Sequence, residues 1–530
     1  MKRHRLITAL LASAAVATAA HAAQKRVAAA PPDLTEKSVG ELQAMLTSGK
    51  LTSEQLVRSY EARIARFNPR LGAVIAVNPD ALRQARALDA ERRAGHVRGP
   101  LHGIPVLLKD NIETADPMAT TAGSLALKDN IGHRDAPVAA RLRAAGAIVL
   151  GKTNLSEWAN IRSSRSTSGW SGVGGLTHNP YSLDRNACGS SSGSGSAVAA
   201  SLAAAGVGTE TDGSVICPSS TNGLVGIKPT VGLVSRTYIV PISHSQDTAG
   251  PMARSVADAA IMLTAMAGSD PKDPATAGAD AHKSDYTRAL DPGALRGKRI
   301  GVLRFAAGFD PNVDALFDHA VAELTAAGAQ VVEIKEFKGE ADIGKAEQLV
   351  LNTELKADLN TYLASTPATV KTRTLADVIS FDQAHADQEM RWFAQETFEA
   401  AEKTKGLDDP DYRKARETSL RLAGAEGIDR MLADNRLDAL VEPSNGPAFT
   451  TDYVNGDHVT GGDTQLAAVA GYPHVTVPMG LDHGLPVGLS FIGPAWSEAR
   501  LIALAYAYEQ RTHARKPPTY AHDSEALLGR

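Results

Sequence analysis

The chain has 530 residues, a formal net charge of −4, 43% hydrophobic residues and two cysteines. With that charge and no long basic run past its start, nothing favours nucleic acid as a partner, and two cysteines are too few for a disulfide-built scaffold. Its length allows a large core, in two or three domains or in one large α/β domain.

The N-terminus has three parts. Lys2, Arg3, His4 and Arg5 form a basic start, Leu6 to Ala20 an apolar run, and Ala20-His21-Ala22 a small-x-small site. That is the pattern of a secretory signal peptide, and its run is too short to span a bilayer. Residues 1–22 are expected to be removed, with the mature chain starting near Ala23 in a periplasm or outside the cell. No later stretch is long and apolar enough for a membrane span, so stable membrane association is not expected.

Ser38-Val-Gly-Glu41 and Thr52-Ser-Glu-Gln55 fit the capping box, and each precedes helical apolar spacing. Short apolar runs at 103–108, 147–150, 300–303, 330–334, 437–441, 475–477 and 487–492 then read as buried strands. Helices are expected at 136–145, 313–327 and 497–511. The alternation predicts an α/β fold with a large mixed sheet and helices on both faces. Residues 336–436 are helical and charged, with few strand signals. Without repeats or a clear linker, 23–530 reads as one domain and 336–436 as a helical cover beside its site.

Asn186-Ala-Cys-Gly-Ser-Ser-Ser-Gly-Ser-Gly-Ser196 has the composition of a flexible linker. Its continuation argues otherwise: Ala197 to Ala205 reads as a compact small-residue helix, followed at once by Val207-Gly-Thr-Glu-Thr-Asp-Gly-Ser214. A Gly/Ser loop entering a helix presents unpaired N–H groups and lets backbones approach closely. Gly189 to Gly193 also satisfies G-x-S-x-G with Ser191 at the nucleophile position, but the approach is a loop, where a nucleophile elbow needs a strand. Ser269-Asp-Pro-Lys272 matches S-x-x-K, and Pro271 and Pro274 forbid the helix that motif requires. Zinc spacing and a Walker loop are both missing from the sequence. Lys109, closing the strand at 103–108, is either a solvated charge or a buried, partly discharged lysine at the carboxyl edge of the sheet.

Taken together, Gly103-Ile-Pro-Val-Leu-Leu-Lys-Asp-Asn111, Gly151 to Trp158, Cys188-Gly-Ser-Ser-Ser-Gly193, Gly208-Thr-Glu-Thr-Asp-Gly-Ser214, Gly226 to Gly232 and Ser245 to Met252 resemble the amidase signature family. The similarity runs in order through nearly all of the mature chain. It implies a Ser-Ser-Lys triad in which Lys109 is the base, Ser190 the bridging residue and Ser214 the nucleophile. It also implies an oxyanion hole from backbone N–H groups of Thr211, Asp212, Gly213 and Ser214. Many members have Gly where Asp212 stands, and a side chain there narrows the conformations open to the turn. The two Ser-bearing motifs are similar to those of bacterial peptide amidases, which release ammonia from C-terminally amidated peptides.

A serine hydroxyl attacks an amide only when a base removes its proton, and lysine serves only when neutral, which burial can bring about. Such chemistry requires no metal or organic cofactor. The expected partner is a small-molecule or short-peptide amide, and the chain is expected to act as a monomer. Aryl, aliphatic or fatty amides are the alternative substrates, and a catalytically inactive binding protein the further alternative. A Ser-His scheme through His102, His178 or His244, and thiol chemistry at Cys188 or Cys217, are set against a triad that lacks nothing. Alternatively the two cysteines pair as a disulfide.

Overall fold

The computed structural model describes residues 33–527, so the expected signal segment lies outside it. Both capping boxes form. Ser38 Oγ accepts from the Glu41 N–H at the start of α1 (Val39–Thr47) while the Glu41 carboxylate accepts from Ser38 N. Thr52 and Gln55 do the same for α2 (Ser53–Leu71). Each arrangement satisfies two N–H groups that the helix itself cannot.

Eleven strands form one sheet. In chain order they are β1 (Val74–Val77), β2 (Pro105–Lys109), β3 (Ile148–Thr153), β4 (Ala205–Glu210), β5 (Val225–Lys228) and β6 (Thr248–Ala253). They continue with β7 (Arg299–Leu303), β8 (Gln330–Ile334), β9 (Ala439–Pro443), β10 (His474–Asp482) and β11 (Leu485–Ile492). Across the sheet the order is β1-β3-β2-β4-β6-β5-β10-β11-β9-β7-β8. Parallel pairing joins β3-β2-β4 and β9-β7-β8, and the other contacts are antiparallel, so the sheet is mixed as expected. Helices flank it, including α3 (Pro137–Ala144) beside β3. Every residue of β2, β3, β4 and β11 is buried, which is why these runs read as continuous rather than alternating.

The small-residue helix differs from expectation. It is α4 (Ser192–Ala199), starting inside the Gly/Ser run, and Ala205 already belongs to β4. A Cβ on Gly193 would meet Ala73 O at 2.3 Å and Asn154 O at 2.5 Å. The glycine and serines therefore seat a helix directly on neighbouring backbone, a closeness that larger side chains forbid.

β2 lies between β3 and β4, with Lys109 opposite Thr153 and Leu108 opposite Val207. The carboxyl ends of β2 and β4 thus stand side by side, and α5 (Ile216–Thr221) follows the loop after β4. Beyond α6 (Pro311–Ala326), the segment 336–436 carries the long α7 (Glu340–Ala364) and α8 (Pro410–Ala423). Leu355, Leu359 and Leu363 of α7 bury against Trp158, Leu127 and Phe398, holding this segment over the loop that follows β3.

Candidate active site

Lys109 is fully buried at the end of β2. Its Nζ stands 2.6 Å from Ser190 Oγ, 2.9 Å from Thr209 Oγ1 and 3.2 Å from Thr209 O. Burial pulls the lysine down to about 7, opposed by the charges of Asp247 and Glu210. Near neutrality a large fraction is therefore the free amine, whose two N–H groups suit the Thr209 oxygens and whose lone pair suits the Ser190 hydroxyl. The solvated alternative for Lys109 is excluded.

Ser190, also fully buried, follows Gly189 through a cis peptide. Gly189 is packed on Ser156 and Ser168, whose Oγ atoms lie 2.2 and 2.8 Å from where its Cβ would stand. Ser191 N donates to Ser214 O at 3.2 Å, so the two serine-bearing loops are stitched together by backbone. Ser191 Oγ itself bridges the N–H and carbonyl of Thr209 at 3.2 and 3.1 Å. That hydroxyl is committed to structure, and the elbow reading of G-x-S-x-G fails on geometry as well as context.

Ser214 sits in the loop between β4 and α5, at the wall of a cavity of about 320 Å³ that Gly189, Cys188, Asp212, Gly213 and Asn445 also line. Glu210 fixes this loop from behind, its carboxylate accepting from the N–H groups of Val215 and Ile216 at 2.7 and 3.0 Å. Among the hydrogen bonds of the described residues, none uses the N–H groups of Asp212, Gly213 or Ser214. Gly213, not Asp212, takes the left-handed conformation, with φ 73°. Asp212 instead accepts from Thr464 Oγ1 at 2.6 Å, tying the loop to α9 (Thr464–Ala470), and burial raises its carboxyl. Thr211 Oγ1 donates to Asp247 at 2.6 Å on the other side. Thr209, Asp247 and Thr464 were not singled out from the sequence, although the first two lie within the motifs quoted there.

Cys188 and Cys217 form a disulfide with Cα atoms 5.9 Å apart, leaving no thiol for nucleophilic chemistry. It links the residue two before Ser190 to α5, three residues after Ser214. Nor does any of the three histidines touch these serines. His102 is held by Leu88 O and Arg98 N, His178 by Leu183 O, and His244 by Asp358. Lys152, the buried lysine on neighbouring β3, donates to Ile112 O at 2.6 Å and Thr120 Oγ1 at 2.9 Å and pairs with Asp110 at 3.5 Å.

A family model described as Amidase matches residues 55–502. A probable amidase of Arabidopsis thaliana is 40% identical over 527 residues, covering 97% of each chain. A glutamyl-tRNA(Gln) amidotransferase component of Halorhodospira halophila is 35% identical over 91% of this chain and 98% of its own. Among solved structures, the peptide amidase from Stenotrophomonas maltophilia superposes with a TM-score of 0.87 at 54% identity, over 92% of this chain and 99% of that one.

Proposed function

This chain belongs to the amidase family and is a hydrolase of amide bonds, and from that premise we propose that it releases ammonia from the C-terminal carboxamide of peptides through Ser214, Ser190 and Lys109. The observation that carries the catalytic part is the 2.6 Å contact between Lys109 Nζ and Ser190 Oγ, beside a loop that presents Ser214 to a cavity. The peptide part is supported by the 54% identity to a solved peptide amidase across nearly the whole of both chains.

In this reading Ser214 Oγ attacks the carboxamide carbon. Its proton passes to Ser190 Oγ while Ser190 gives its own to Lys109 Nζ, so only one net charge moves. The carbonyl oxygen, now negative, is held by N–H groups of the Thr211–Ser214 turn, where loss of one donor is worth about 3 kcal/mol. Collapse of the tetrahedral intermediate returns the proton to the nitrogen, which leaves as ammonia. Water then attacks the acyl-Ser214 ester by the same relay and regenerates the serine.

Export to an oxidising compartment is part of the proposal. The tripartite N-terminus and the Cys188–Cys217 pairing support it. Among the described residues no helix is long and apolar enough to cross a membrane.

One observation favours a second reading, hydrolysis of amides with apolar leaving groups. A cavity of about 400 Å³ lined by Tyr238, Ile239, Val240 and Pro241 borders Thr209, and shares Ala159, Thr211 and Ile242 with the Ser214 cavity. Incubating an amidated tripeptide and an anilide of the same acid with the enzyme separates the two. A mass gain of about 1 Da on the tripeptide, with its internal bonds intact, is the expected hydrolysis of –NH₂ to –OH. An inert tripeptide beside a rapidly cleaved anilide overturns the peptide reading.

A further inference from the structure

The Ser214 cavity does not end at its own wall. Gly461, Gly462 and Thr464 are common to it and to a second cavity of about 400 Å³, lined also by Phe305, Phe309, Glu340 and Asp463. The two cavities adjoin across these three residues and are read together as one groove. Its lining holds four carboxylates, Asp212 and Asp457 in the first part and Glu340 and Asp463 in the second, and not one lysine, arginine or histidine.

Two enclosed acceptors in this groove lack donors. Asn445, 3% exposed, sends its amide N–H to Gly446 O at 2.6 Å and leaves Oδ1 enclosed with no partner; Asp463 Oδ2 is enclosed and unpartnered too. Asp457 accepts from Ser168 N at 2.8 Å and from Ser168 Oγ. Behind the wall, Glu347 accepts from Gln246 and Gln465 at 2.8 and 2.7 Å. Lys228, which lies outside the lining, is shared among Glu210, Glu498 and Asp212, and His458 acts on Asp457 from beside it. Phe309 packs its ring against Gly461, which lines both parts.

A metal ion does not answer this need. Among the described residues, the cluster that brings three candidate ligand atoms within 4.8 Å is His244, Glu354 and Asp358, elsewhere in the fold. There Glu354 is already occupied by Ser243, Ser245 and Tyr412. Among the described residues no three of the groove's carboxylates converge in this way, which suits an organic cation on a chain better than a metal ion. Enclosed acceptors are costly when unpaired, and an aromatic face attracts a cation.

We propose that this groove selects peptide amides carrying a positive charge close to the carboxamide, either a lysine or arginine side chain or a free α-ammonium. The inference rests on Ser214 being the nucleophile and on the groove taking the acyl part of the substrate. Burial pushes Asp463 up to about 7 and Glu347 up to about 8, with repulsion from Asp212 adding to both. A bound cation favours the ionised carboxylates and is itself held more firmly.

Steady-state kinetics on matched dipeptide amides tests this. One arm has the N-terminus acetylated and the other residue arginine, its neutral isostere citrulline, or glutamate. The other arm compares free and acetylated N-termini on an uncharged dipeptide amide. In at least one arm the cation raises kcat/KM by about tenfold or more, chiefly through KM, and the advantage shrinks as salt is added. Which arm responds tells a basic side chain from a chain terminus. Asp457→Asn and Asp463→Asn each bring the charged-to-neutral ratio towards one, and the wild-type salt series stands if either variant fails to fold. Equal rates across both arms, with peptide amides turned over well, overturn the charge selection alone. Inert peptide amides beside active anilides overturn the peptide reading itself.

Discussion

Lys109 Nζ and Ser190 Oγ stand 2.6 Å apart, both fully buried, with Thr209 supplying the lysine's other two contacts. The contrast with Lys152 one strand away defines what is special here. Lys152 has a carboxylate, a carbonyl and a threonine hydroxyl around its nitrogen, so its charge is locally answered. Lys109 has no carboxylate in contact among the described residues, and burial brings it to about 7. Burial pulls both lysines down, but only Lys152 has a carboxylate in contact to oppose it.

Ser214→Ala is expected to lower kcat by about 10⁴-fold or more and to abolish any covalent acyl adduct seen by intact-mass measurement. Ser191→Ala removes two bonds to the Thr209 backbone and should cost about 1–3 kcal/mol of stability while keeping the adduct. An adduct that survives in the Ser214 variant and vanishes in the Ser191 variant moves the nucleophile.

A base that must be neutral sets the direction of the pH profile. With Lys109 brought to about 7 by burial, kcat/KM on an uncharged peptide amide should rise through a step near pH 7 and level off in mildly alkaline buffer. Lys109→Ala should have a residual rate without that step. A step of the same midpoint in the variant assigns it to another group.

The disulfide fastens the Ser190 loop to α5, just beyond Ser214. Denatured, unreduced protein should show no titratable thiol. Replacing both cysteines with serine opens a loop with a sequence separation of 29 residues, which in the chain-entropy picture costs about 3–4 kcal/mol. Because a displacement of about 1 Å can lower a rate about 100-fold, kcat should fall more than KM changes. An unchanged kcat in the folded variant leaves the bridge as a stabiliser only.

The strands visible in the sequence were mostly short apolar runs, such as β2, β7 and β11. Of the hidden ones, β4 and β6 are built largely from small residues, whereas β1, Val-Ile-Ala-Val, is an apolar run of only four residues. β6 reads Thr-Ala-Gly-Pro-Met-Ala, with a proline in a central strand, and a Cβ on Gly250 would stand 2.0 Å from Ile227 O. Close packing against β5, rather than β propensity, makes that segment a strand. Likewise, Lys109, Ser190 and Ser214 could be named from motifs because each motif is local. Asp212 and Thr464 lie 252 residues apart, and nothing local in the sequence marks their contact.

The discharged lysine has a consequence for folding that can be measured without substrate. In the unfolded chain Lys109 titrates near its ordinary value of about 10.4, whereas in the folded protein burial brings it to about 7. Between those values the unfolded state binds the extra proton, so stability must rise with pH, by up to about 1.4 kcal/mol per unit. Below pH 7 both states are protonated, the slope vanishes and the full penalty of burying the charge remains. Other titrating groups contribute as well, but they are common to the wild type and Lys109→Met. Urea unfolding of both proteins from pH 6 to pH 10 should therefore show the wild type gaining on the variant steadily above pH 7, and a constant difference below it. A difference that is flat across the whole range means that Lys109 keeps its proton in the folded state. The base in the relay would then have to be sought elsewhere.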